Sequence, residues 1–343
     1  MSDNAKNNSL IYIAVAGVLA VIGVICWIVM LVSGPTVLCD TIPWGIFIAT
    51  FFLLAGAGAG LVLLTALGDF GIIPGLAAFR RSMLAGAVGC LAAAGFVIIM
   101  DLGNPANIFG FLTSANFSSL FVWDFYFLLL TLVLALVAFF MKDANKVVIC
   151  LASLVALGLV MVEGWILAVS PVEAWGGALI PVVFLIEAFL VAFSLVIIVK
   201  TDRPKCLGGF AAGLLGLLLI ITILEAVAGG YMGTSGEGAA TALLVSGGLA
   251  GLYWTQIIAG IVIPIVLLAG LVKNEMAIKA GAVLAICGVL MAKVALLVAG
   301  QTFLFDGSTL SYFPTVVEWG GVIGGIGIAA FVFLLGKKLF IKA

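Results

Sequence analysis

The residues best able to do chemistry in this chain are carboxylates placed where carboxylates are costly. Asp124, in "SSLFVWDFYFLLLTL", and Glu163, in "EGWILAVS", lie ~9 Å inside long apolar runs if these are helices rising ~1.5 Å per residue, and Glu225 and Gln256 lie ~8 Å inside theirs. Asp101 closes one such run, Glu318 opens another, and Glu187 and Lys293 fall nearer the middle of two more. A charge at the centre of a hydrocarbon layer costs at least ~2.5–3.5 kcal/mol, so each of these positions is a functional candidate by default. Two chemistries are open to them. Glu187 and Lys293 can neutralise each other, or either can pair with Glu225, and the same three residues could instead form a proton path. Asp124 and Glu163 suit proton abstraction, since a carboxylate within ~2.6–3.2 Å of a hydroxyl can act as its base. Asp101 serves equally as a third such group or as a loop cap.

The elements that must position these groups follow from composition. Of 343 residues, 65% are apolar and 8% charged, with a mean hydropathy of +1.43. Soluble domains carry about 25% charged residues, so this composition excludes them. The apolar runs are continuous and about twenty residues long, as a spanning helix requires, rather than alternating over about ten as in an outer-membrane barrel. The chain is predicted to be an all-α integral membrane protein with ten spans, at 10–32, 43–67, 82–100, 118–140, 147–169, 177–199, 207–230, 251–272, 280–303 and 316–336.

Basic residues support that count. Lys6; Arg80 and Arg81; Lys142 and Lys146; Lys200, Arg203 and Lys205; Lys273 and Lys279; and Lys337, Lys338 and Lys342 occupy alternate connections, thirteen of the 14 Lys and Arg, and Lys293 is within a span. By the positive-inside rule this set faces the cytoplasm, which puts both termini there and requires an even number of spans in a cytoplasmic (inner) membrane. The first run, Leu10 to Val32, is longer than the ~7–15 residues of a secretory h-region and reads as a retained helix. The outer connections gather aromatics, prolines, glycines and acids, as an interfacial belt or as a surface that another protein covers.

Redox centres within the chain are not expected. There is no histidine to hold haem, and the six cysteines are far apart with no C-x-x-C pair for a cluster or a metal. In "CDTIPWGIFIATFFLLAGAGAGLVLL", Pro43 suits a first helical turn, Trp44 a headgroup-level anchor, and Gly56, Gly58 and Gly60 make a face suited to close helix packing.

At this point a family resemblance becomes visible. "IPWGIFIATFFLLAGAGAG", "MDLGNPANIFGFL", "SSLFVWDFYFLLLTL", "EGWILAVSPVEAWGGALIPVVFLIEA", "YWTQIIAGIVIPIVLL" and "SYFPTVVEWGGVIG" together resemble, in order, the NrfD/PsrC membrane subunits of the ten-helix type. The resemblance runs from about Cys39 to the C-terminus. It implies two four-helix bundles with a helix added at each end: 1–42 as the N-terminal flanking helix and loop, 43–170 and 171–304 as the bundles, and 305–343 as the C-terminal flanking helix. Trp44-Gly45 and Trp175-Gly176 open the second and sixth helices alike, as a parallel duplication would.

The resemblance also implies a function. Family members bind a quinol or quinone in the membrane and exchange electrons with a ferredoxin-like iron–sulfur subunit docked on them, which serves a further catalytic subunit; nucleic acid is not an expected partner. The expected cofactor is menaquinone or another quinone, with no haem, iron–sulfur cluster or metal in this chain. Asp101, Asp124 and Glu163 are the expected catalytic carboxylates. Asp40, Trp44, Trp123, Tyr126 and Trp165 are the expected cofactor contacts, with Glu187, Glu225 and Lys293 as an accompanying proton path for translocation. The arginine common after D-L-G is Asn104 here, Asn107 replaces a second basic residue, and the quinone-pocket histidine of some members is missing. A secondary transporter is the alternative, since ten spans, midplane charges and a repeat also suit one. Transporters favour helices broken near the bilayer centre, and only Pro181 and Pro264 lie well inside spans.

Overall fold

A computed structural model of the chain describes residues 3–33, 44–102, 104–113, 116–141, 145–200, 202–232, 235–302 and 312–341. Among the described residues there is no strand, and ten helices are long and apolar enough to cross a membrane. They are α1 (Asp3–Ser33), α2 (Ile46–Asp69), α3 (Arg80–Asp101), α4 (Leu120–Phe140) and α5 (Lys146–Ala168). The remaining five are α6 (Ile180–Val199), α7 (Cys206–Met232), α8 (Ala250–Gly270), α9 (Glu275–Gln301) and α10 (Val316–Phe340). The protein is an all-α, multi-pass membrane protein.

Two stretches that read as loops contain short helices, Ile108–Thr113 and Ser235–Val245. Both are too short to cross a bilayer, and glycines and small polar residues around them mask the apolar periodicity by which a helix is recognised. Pro264 does not break α8. The helix is wound as π over Ile258–Val262 and Val266–Gly270, on either side of a short α segment, and this widening absorbs the hydrogen bond that proline cannot donate.

The chain divides into two compact units, one drawn from Met1–Leu38, Ile46–Leu159 and Phe313–Ala343, the other from Cys39–Gly45 and Val160–Tyr312. In the first, α2 is buried along almost its whole length and packs on α3, where a side chain at Gly58 would strike Leu91. Helix α10 packs against both α3 and α1. At the α1–α10 crossing a Cβ on Gly23 would lie 2.5 Å from the Gly324 Cα, so only glycine permits this backbone approach. The α2–α3 corner is held by Arg80, whose Nε donates to Asp69 at 2.9 Å while Nη1 donates to the Ala138 carbonyl at 3.0 Å.

In the second unit α6, α7, α8 and α9 pack on one another, with the Ser235–Val245 helix lying against α7, α8 and α9. A Cβ on Gly260 of α8 would come 2.5 Å from the Gly288 Cα of α9. Arg203 grips Glu275 through both guanidinium nitrogens, at 2.8 and 3.1 Å.

Candidate functional site

Three carboxylates of the first unit, Asp101, Asp124 and Glu318, collect at one end of it. Asp101 closes α3, and Asp124 lies four residues into α4, ~6 Å from its start. These helices follow one another and pack together, so both acids are at the same end of the pair. Glu318, at the start of α10, lies within electrostatic reach of Asp101. It is fully buried and shares a capping box with Thr315, whose N–H and hydroxyl donate to its Oε2 at 2.7 and 2.8 Å. Asp124 is only 8% exposed, and its Oδ1, like that of Asp101, is buried without a hydrogen-bond partner. Two buried acceptor atoms therefore stand ready for a donor that the described residues do not supply.

The aromatic groups around Asp124 spend their polar atoms on the preceding segment. Trp123 Nε1 donates to the Phe117 carbonyl at 2.8 Å and the Tyr126 hydroxyl donates to the Phe111 carbonyl at 3.2 Å. Phe111 stacks on Phe125 and Phe117 on Tyr126, so these two rings are folded onto the start of α4. Trp123 and Tyr126 therefore offer flat surfaces rather than hydrogen bonds. Asn104, where the resemblance led to an arginine, accepts from the Ala106 N–H at 3.0 Å and caps the turn Pro105–Asn107.

The other expected contacts are distributed elsewhere. Glu163 and Trp165 lie on the part of α5 that belongs to the second unit; Glu163 is 0% exposed, next to a Gly164 pressed against Pro181 of α6, whereas Trp165 is exposed. Asp40, like Pro43, falls outside the described residues. Trp44 also belongs to the second unit. Its ring stacks on Trp175, centroids 4.9 Å apart and 7° from parallel. Gln301 clasps its backbone, accepting from the Trp44 N–H at 3.0 Å and donating to its carbonyl at 2.8 Å. Trp175 Nε1 donates to the Leu296 carbonyl at 2.9 Å. The two Trp-Gly corners that resemble each other in sequence thus meet face to face.

Deeper in the second unit, Lys293 Nζ lies 2.8 Å from Glu187 Oε2 and 3.2 Å from the centre of the Phe184 ring. A carboxylate and a π-face together offset the cost of burying this ammonium. Glu225 has no ion-pair partner among the described residues, although Glu187 and Glu237 lie within electrostatic reach. Beside it are two cavities of about 130 and 270 Å³. Sequence reasoning overlooked Tyr253, and it noted Gln256 without giving it a role. Their spacing of three residues was the available signal, since it puts both on one face of α8.

Among the described residues no group of three or more His, Cys, Asp or Glu could hold a metal ion. The family model described as polysulphide reductase, NrfD, matches residues 36–305. The chain belongs to the NrfD family. The Hdr-like menaquinol oxidoreductase integral membrane subunit of Archaeoglobus fulgidus is 26% identical to this NrfD chain over 98% of its length and 94% of that protein. A Halobacterium salinarum protein named as a dimethyl sulfoxide reductase membrane subunit is 34% identical over 33% of this chain. That match spans 27% of the haloarchaeal protein. Both relatives are thus named as membrane subunits of oxidoreductases.

Proposed function

We propose that the chain is the quinol-oxidising membrane subunit of a respiratory oxidoreductase, taking menaquinol or a related quinol and delivering its electrons to an iron–sulfur subunit on the outer face. The observation that carries the reading is the pair of buried acceptor atoms, Asp124 Oδ1 and Asp101 Oδ1, at one end of α3 and α4. The name of the Archaeoglobus relative points to the same substrate class.

The quinol supplies two electrons and two protons when it is oxidised. Asp124 accepts a hydroxyl hydrogen bond and then the proton, because a buried carboxylate without an internal donor gains most from one brought by a ligand. Asp101, beside Glu318, does the same from the end of α3. The rings of Trp123, Phe117 and Tyr126 give a flat ring something to lie against. Of Glu187, Glu225 and Lys293, Glu225 is the one available to exchange a proton without first opening the Glu187–Lys293 pair.

The test is menaquinol oxidation by the assembled complex carrying Asp124→Asn. Turnover is expected to fall ~10²–10⁴-fold, the size of a lost general base. Turnover at the wild-type rate would remove Asp124 from the reaction.

A further inference from the structure

The second unit holds a chamber that the reading above touches only at Glu225. The cavities of about 130 and 270 Å³ share Ile180, Thr222, Glu225, Leu244, Tyr253 and Leu296, so they are contiguous. The inner one ends at the Glu187–Lys293 pair, and the outer one is bounded by Glu237 and Thr241 of the Ser235–Val245 helix. Two side chains on its α8 wall are buried polar groups with no use inside the protein. Gln256 is 7% exposed and Tyr253 8%, both line the inner cavity, and neither makes a hydrogen bond among the described residues. Most of the remaining wall is aliphatic. Convergent polar groups on a largely apolar wall are what a small organic ligand requires.

The way in is lateral. Glu225 lines both cavities, yet it is also exposed on the outside of α7, among the exposed side chains of Ile220, Ile223, Leu224 and Val227. Such a row of aliphatic residues on a spanning helix faces lipid. It lies ~10 Å, seven residues, from the end of α7. A ligand reaching this opening comes from the bilayer and can leave an apolar tail there.

We infer that the chamber is a second ligand site, for the hydrogen-bond-donating aromatic head group of a membrane amphiphile of the hydroquinone class, entering past Glu225. Glu225 and the Gln256 carbonyl accept from the ring hydroxyls, Tyr253 and Thr222 can donate or accept, and Phe184 and the aliphatic wall pack on the ring faces. The inference rests on the proposed reading only in the class of ligand; the residues belong to a different unit.

The experiment is photolabelling of the purified full-length chain in lipid nanodiscs with a photoreactive naphthoquinol bearing a short isoprenoid tail, with and without excess unlabelled menaquinol. Label displaced by the excess is expected on peptides from α6, α8 or α9. It should fall about fivefold in Gln256→Leu, the worth of one hydrogen bond, and by at least as much in Ala292→Phe, which fills the inner cavity. Glu225→Gln, at an exposed position, provides a variant that does not disturb the core and should also lose label. Label confined to α3 and α4 overturns the inference and leaves the proposed function standing. Label in the chamber with none in the first unit sustains it and removes Asp124 from quinol binding. Label that excess menaquinol does not displace, or that all three variants retain in full, overturns it.

Discussion

The two units solve the problem of buried charge in opposite ways. In the first, helices meet through glycine seams with little space between them, and Asp101 and Asp124 keep buried oxygen atoms with no donor among the described residues. In the second, the midplane charges Glu187 and Lys293 are matched to each other, while Tyr253 and Gln256, whose side chains make no hydrogen bond among the described residues, border open space. Each unit also carries an arginine clamp to a carboxylate, Arg80 to Asp69 and Arg203 to Glu275. The difference teaches that an acid within an apolar helix is not one kind of feature. A matched pair makes the fold possible at that depth, whereas an unmatched acceptor keeps a cost that only a ligand or a proton relieves.

The comparison is broken most decisively by activity. In the assembled complex, Asp124→Asn should lower menaquinol oxidation by ~10²–10⁴-fold, while Glu225→Gln should stay within about tenfold of wild type. Equal losses, measured as kcat with a soluble electron acceptor, would abolish the division of roles. The next effect is on stability. Lys293→Met leaves Glu187 buried without its partner and should cost about 3–5 kcal/mol, read from thermal unfolding in detergent, and Lys293→Met with Glu187→Leu should recover most of it. Recovery would show that the pair neutralises itself; a double variant as unstable as the single would assign those side chains a packing role instead.

Filling space should separate the units further. Gly324→Leu forces α10 away from α1 and should cost about 1–3 kcal/mol or more, with faster proteolysis of α1. Ala292→Phe, which points at a cavity of about 130 Å³, should change the unfolding temperature much less. Comparable losses from both would mean that the chamber closes in the membrane. At the tryptophan corners Gln301→Leu removes the clasp on Trp44 and should cost about 1 kcal/mol, followed by tryptophan fluorescence.

Much of the architecture was legible in the sequence. Ten apolar runs of spanning length, with basic residues in alternate connections, led directly to ten helices, because the hydrocarbon thickness sets the length and the cost of charge sets the breaks. The short helices Ile108–Thr113 and Ser235–Val245 were not legible, since no thickness dictates their length. The carboxylates were found by their depth alone. Which of them are matched was not visible: Glu187 and Lys293 are more than a hundred residues apart, and either could have met Glu225. Trp44 and Trp123 read as walls of one pocket, yet one stacks on Trp175 and the other packs at a tilt against Phe117, before α4.

What the sequence alone determined, then, was the solvent this chain lives in, the number of its crossings and the short set of residues whose burial demands a reason. These follow from transfer free energies, which act on each residue by itself and are readable one position at a time. The tertiary structure decided which acid has a cation, which tryptophans stack, where α8 widens around Pro264 and where a chamber is left beside Gln256. Those outcomes depend on how helices distant in the chain pack, and packing is set by the joint shape of many side chains rather than by the type of any one.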